Sequence, residues 1–211
     1  MTNSLIPKHL VCGLVLFAAA CGGKHSTTPA PQPTSPLPVE GLAGRDIGVM
    51  PLTLVAADDS LHWSVLVSDR VAQLALADSV IEAMLKARAP EVHWISSTTL
   101  RREARRAPGI VSDPGQMGTA LLRAPNIINV PDPLRAELRA LGAIAGGRFL
   151  LIPAALLYTK GTTTPATAEL SIVLVDIRLG EVQWRSLARG DGEDPWSALT
   201  SAMKHLTPGL P

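Results

Sequence analysis

Residues 168–186, AELSIVLVDIRLGEVQWRS, decide how the rest of the chain is read. Ala168 to Ile177 is an apolar run rich in Val, Ile and Leu, the composition of a buried strand. Arg178-Leu179-Gly180 is a three-residue turn with Gly where a left-handed backbone is wanted, so Glu181 to Arg189 returns antiparallel. In that returning strand Val182, Trp184, Ser186 and Ala188 alternate with Glu181, Gln183, Arg185 and Arg189, which predicts one buried face and one wet face. Phe149 to Tyr158 is a second continuous apolar run, and residues 160–165, KGTTTP, form the turn between the two. Three strands therefore meander antiparallel near the end of the chain.

Working outward, Asp194-Pro195 supplies an N-cap and a first-turn proline for a closing helix, Trp196 to Leu206. Asp132-Pro133 repeats the device for a helix to about Ala145, where Gly146-Gly147 stop it. Pro108 to Pro133 reads as an irregular connection with one short helix near Gln116 to Arg123. Before it, Val92 to Ile95 is a short strand, and Ser97 or Thr98 opens a helix through Arg106. Val71, Leu74, Ala77, Ile81, Met84 and Leu85 make a helical stripe within Asp69 to Ala89, with Ser68 as N-cap and Pro90 just past the end. Asp46 to Ala56 is a first buried strand in which Pro51 cannot donate to a ladder and marks an edge or a bulge; Ser60 to Ser68 is a loop or a short strand. The expected fold is α/β (α+β): a central mixed sheet of about five strands ending in a three-strand antiparallel meander, with helices packed on it, in a single domain over 45–211.

The amino terminus sets the compartment. Leu10 to Cys21, LVCGLVLFAAAC, is an apolar run of about eleven residues behind Lys8 and His9, the length of a signal-peptide core and short of the roughly 20 residues of a membrane span. The run ends Ala18-Ala19-Ala20-Cys21, which resembles the lipobox of bacterial lipoproteins. That resemblance implies cleavage between Ala20 and Cys21, a signal peptide over 1–20, and lipidation of Cys21. The alternative is an ordinary secretory signal cut at the same small residues, with Cys21 an incidental thiol. Cys12 lies in the signal, so the body after Cys21 holds no thiol for a disulfide, a metal or a nucleophile. Residues 21–44, with Pro at 29, 31, 33, 36 and 38, read as the lipidated Cys and a semi-extended tether.

Of the 19 basic residues only Lys8 precedes the cleavage point, against 18 acidic residues after it, so the mature chain is neutral. Nucleic acid, which needs a basic footprint, is excluded as a partner class. The TTLRREARR segment concentrates Arg101, Arg102, Arg105 and Arg106 around Glu103. This is a solvated helix face or a contact for anionic headgroups or an acidic partner. His62, His93 and His205 are far apart with no HExxH spacing, and no G-x-S-x-G, GxxxxGKS or GxGxxG occurs. No metal and no cofactor is expected. Asp58-Asp59 reads as a solvated turn, and Asp191, Glu193 and Asp194 as a turn and a cap. Trp63, Trp94, Trp184 and Trp196 are either core or partner anchors, with core packing the default for Trp94 and Trp184.

The opening VMPL, the segments SDRVAQLALADSVIEAML and LRALGAIAGGRFLLIPAALL, and the hairpin VDIRLGEVQW together resemble the periplasmic α/β domain shared by the TolB amino-terminal domain, the curli-secretion lipoprotein and the outer-membrane lipoprotein activator of a bifunctional penicillin-binding protein. The resemblance spans about Arg45 to Leu206 and implies a non-enzymatic envelope domain that binds other proteins. The expectation is a protein lipid-anchored in the outer membrane through Cys21, facing the periplasm, with an envelope protein as partner. Two rivals stand beside it. A cell-wall or carbohydrate-directed hydrolase requires at least two of Asp58, Asp59, His62 and His93 to converge in a cleft. A self-assembling envelope subunit requires association of the domain with itself.

Overall fold

In the computed structural model, which describes residues 35–63, 69–161 and 164–207, the run FLLIPAALLYTK forms strand β4 (Phe149–Lys160) at the centre of a six-stranded sheet. The other strands are β1 (Asp46–Val49), β2 (Val55–Ala57), β3 (His93–Ile95), β5 (Ala166–Asp176) and β6 (Glu181–Gly192). The order is β3-β1-β4-β5-β6, with β2 also on β4. β1 runs parallel to both β3 and β4, whereas β5 and β6 follow antiparallel, so the sheet is mixed and ends in the expected meander.

Four helices cover it: α1 (Arg70–Arg88), α2 (Ser97–Arg106), α3 (Leu134–Ala145) and α4 (Pro195–Leu206). Successive residues of a strand point to opposite faces, so neighbouring leucines of β4 feed different cores. Leu151 joins Ile172, Ile81 and Leu85 of α1 and Leu199 and Met203 of α4. Leu150 and Ile152 join Val173, Leu100 of α2 and Leu138 and Leu141 of α3. The result is three layers, with α1 and α4 on one face and α2 and α3 on the other. Each fully buried aliphatic side chain contributes about 1.5–3 kcal/mol, which is why β4 carries no charge until its last residue. All four tryptophans are part-buried against the α1–α4 core.

Six strands appear instead of about five because Pro51 splits the first. β1 pairs Ile47–Val49 with Phe149–Leu151, and β2 pairs Val55–Ala57 with Leu156–Tyr158, on the same side of β4. Between them the Met50 N–H still donates to Leu151 O (2.9 Å) and the Leu156 N–H to Leu54 O (2.9 Å). Pro51 supplies no donor, and the opposite strand bulges at Pro153/Ala155.

Residues 35–44, expected as the end of an extended tether, are packed. Leu37 and Leu42 are buried in the α1–α4 core, the Leu37 N–H donates to Leu206 O (2.9 Å), and the Ser35 N–H donates to Ser186 Oγ (3.0 Å). A proline-rich stretch is extended only while it has nothing apolar to bury, and Leu37, Val39 and Leu42 provide that area. Two caps also differ. Asp69, not Ser68, caps α1, its carboxylate accepting from the Ala72 N–H at 3.1 Å. Asp132 does not cap α3: the helix starts at Leu134, Pro133 itself holds the N-cap position, and no side chain closes the first turn. The Asp194 device at α4 is present in full, a capping box with Ser197. Val71, placed on the buried stripe of α1, is 79% exposed.

Candidate functional site

The chain leaves β1 through α1 to reach β3 on one side and returns through α2 and α3 to β4 on the other. The carboxyl end of β1 is therefore a topological switch point, where open α/β sheets bind ligands. Here it holds a polar clamp. The Asp78 carboxylate of α1 accepts from the Leu52 N–H (2.7 Å) and from Arg101 Nη2 of α2 (3.3 Å). Beside it Arg70 Nη2 donates to Thr53 O (2.8 Å), and the Thr53 and Thr119 hydroxyls lie 3.1 Å apart. Burial pushes the Asp78 carboxyl up to about 6, against the pull of the Leu52 N–H and Arg101. Both its oxygens accept from protein donors, so the pair ties α1, the β1–β2 connection and α2 together, with no oxygen left bare for a substrate.

This separates the arginine cluster. Arg101 turns inward to Asp78, while Arg102 Nε (3.3 Å) and Arg106 Nη1 (2.9 Å) both pair with Glu103, whose carboxyl they hold below its ordinary range. Arg105 is exposed beside Pro108 and Asp113. Surface ion pairs of this kind contribute at most about 1 kcal/mol each. Ala20 and Cys21 lie outside the described residues.

Of the four residues nominated for hydrolysis, Asp58, Asp59 and His62 share one exposed turn, and His93 lies apart from them. His93 sits opposite Asp46, with Nδ1 3.4 Å from its carboxylate, at the Phe149 end of β4. Asp58, Asp59 and His62 form an exposed turn at the Tyr158 end, where the Asp58 carboxylate accepts from the Ser60 N–H. Phe149 and Tyr158 are nine residues apart, about 30 Å at strand rise. His205 lies elsewhere, its Nδ1 2.6 Å from Arg189 O. Among the described residues no group of three or more His, Cys, Asp or Glu side chains is placed to hold a metal, and no helix is long and apolar enough to cross a membrane. Asp191 accepts from the Thr167 hydroxyl (2.6 Å), and Asp194 accepts from the Trp196 and Ser197 N–H groups.

Sequence reasoning misplaced Arg185 and overlooked the hairpin end. Arg185 was expected on the wet face of β6; it is part-buried and donates to the carbonyls of Leu122 and Ile127 (2.8 Å for the latter), pinning the irregular 119–127 segment to the sheet. Arg135 and Arg139, one turn apart on α3, come together with Arg178 of the β5–β6 turn. The only linear signal for this was an i, i+4 pair of arginines.

No family model matches the sequence, and no curated protein matches it significantly. Solved structures do. The LpoB C-terminal domain from Salmonella enterica is 13% identical over 71% of this chain and 84% of its own, with a TM-score of 0.39. Lipoprotein GNA1162 from Neisseria meningitidis is 19% identical over 70% and 80%, with a TM-score of 0.33. A variant PelC dodecamer from Paraburkholderia phytofirmans is 13% identical over 83% and 92%, with a TM-score of 0.41.

Proposed function

We propose that this chain is a lipoprotein of the bacterial cell envelope, held by Cys21 in the outer membrane and facing the periplasm, whose α/β domain is a non-catalytic module that binds an envelope protein. The observation that carries the reading is the run Ala18-Ala19-Ala20-Cys21 behind a short apolar core, with no cysteine anywhere after it. The likeness to the TolB amino-terminal and curli-secretion domains belongs to this proposal as well. Residues 22–34, part of the proposed tether, lie outside the described residues. The separation of His93 from Asp58, Asp59 and His62, which sit on an exposed turn, supports the non-catalytic reading over the hydrolase.

Crosslinking in intact cells, followed by purification of the full chain from membranes, tests the reading. A discrete adduct with one envelope protein is expected, together with no turnover when the purified chain is offered peptidoglycan fragments and aryl glycosides. Steady turnover, or recovery of the chain free of any protein adduct, contradicts it.

A further inference from the structure

The β5–β6 turn projects beside α3, and the charges there are unbalanced. Asp176, the carboxylate that closes the hairpin, is 1% exposed and fully engaged: it accepts from Arg148 Nε (2.8 Å) and from the Arg178 and Leu179 N–H groups. Among the described residues no ion pair reaches Arg135, Arg139 or Arg178. Arg135 lies over Gly180, where a Cβ would come within 2.4 Å of its Nε, and that buried Nε has no hydrogen-bond partner. Arg139 and Arg178 rim a cavity of about 200 Å³ floored by Gly142, Ala143, Gly147 and Ile177. Next to Arg178, Leu179 stands in solvent at 49% exposure, and further along the hairpin, opposite Val182, Ile128 does so at 68%. The segment is held along the hairpin because the Val182 N–H donates to Ile128 O and the Val130 N–H to Gly180 O, each at 2.8 Å, which sets Ile128 opposite Val182.

From this arrangement we infer that the hairpin end is the docking surface for a partner polypeptide, through an acidic segment carrying an apolar residue. The apolar side chain enters the cavity over Ile177, its neighbours cover Leu179 and Ile128, and the flanking carboxylates pair with Arg135, Arg139 and Arg178. Guanidinium forks match carboxylates two bonds at a time, and arginine beside exposed apolar area is the composition of interface centres. A concave site with an apolar floor accepts one side chain, whereas a lipid surface calls for a flat basic face. The inference rests on the protein-binding reading above and adds the partner's chemistry.

The test uses the full chain in mild detergent and a fluorescein-labelled decapeptide of glutamates around a central leucine, read by anisotropy. Binding is expected that weakens at least tenfold in the doubly substituted R139A/R178A chain and severalfold in L179S. It should weaken also when the peptide's leucine becomes serine or its glutamates become glutamines. All substituted positions are exposed, and an unchanged thermal melt verifies folding. No binding of the peptide, equal binding by R139A/R178A, or indifference to the peptide's leucine overturns the assignment. So does preferential, arginine-dependent binding to phosphatidylglycerol vesicles, which makes the surface a headgroup contact. If crosslinking captures an envelope protein while the peptide fails, only the hairpin-end assignment falls.

Discussion

Gly190→Ala is expected to destabilise the domain by about 3 kcal/mol or more, measured by urea unfolding of the full chain followed through tryptophan fluorescence. A Cβ at Gly190 would lie 2.0 Å from Ala202 N, 2.5 Å from Ser201 C and 2.7 Å from Ala198 O, all backbone atoms that cannot rotate away. Gly192, on the same face of β6, meets Ala198 N at 2.3 Å in the same way. The two glycines present a smooth stretch of strand to the small residues Ala198, Ser201 and Ala202, and α4 rests directly on the backbone of β6. Adding one methyl must lift the helix, and with it Leu199, Met203 and Leu206 from the core. Gly41 is the control, since a Cβ there meets nothing within 4 Å; Gly41→Ala should change stability by less than about 0.5 kcal/mol. Equal effects of the two substitutions would mean that α4 does not sit where it is described.

The second large effect is a pH dependence carried by Asp78. Its carboxyl is pushed up to about 6 in the folded domain from 3.8, so the folded state holds the proton more tightly than the unfolded chain does. A raised acid stabilises the fold below the unfolded value, and that contribution is lost as pH rises through about 6. A rise of this size corresponds to about 3 kcal/mol. Asp78→Asn keeps an acceptor for the Leu52 N–H and removes the titration. The stability of the native chain minus that of the Asn variant should therefore fall by about 2.5 kcal/mol between pH 4 and pH 7. A difference that stays flat across this range would show that Arg101 fully offsets the burial of the charge.

How far the fold could be read in advance followed how local each cause was. The β5–β6 hairpin, the α4 cap at Asp194 and the stop of α3 at Gly146 are written in adjacent residues, and they form as expected. The break at Pro51 was visible as a missing donor. Its consequence, two short strands sharing one side of β4, depends on a partner about a hundred residues away. Leu37 and Leu42 were masked by the prolines around them, because burial of a leucine is decided by whether a core lies within reach. Arg101 and Arg185 show the same limit for charge. Their neighbours in sequence are solvated, yet Asp78 and two carbonyls of the 119–127 segment draw them inward. The glycines at 190 and 192 read as the end of a strand, and only the approach of α4 explains why no larger residue can stand there.

The proposed docking of the domain to an envelope partner rests first on the proposed lipidation of Cys21. Intact-mass and peptide mass spectrometry of the chain extracted from membranes tests that dependence most directly. A mature chain beginning at Cys21 and carrying acyl groups on that residue is the predicted result, with Cys21→Ser accumulating in the unprocessed form. A mature chain whose Cys21 is an unmodified thiol, or one cleaved elsewhere and recovered in the soluble fraction, would contradict it.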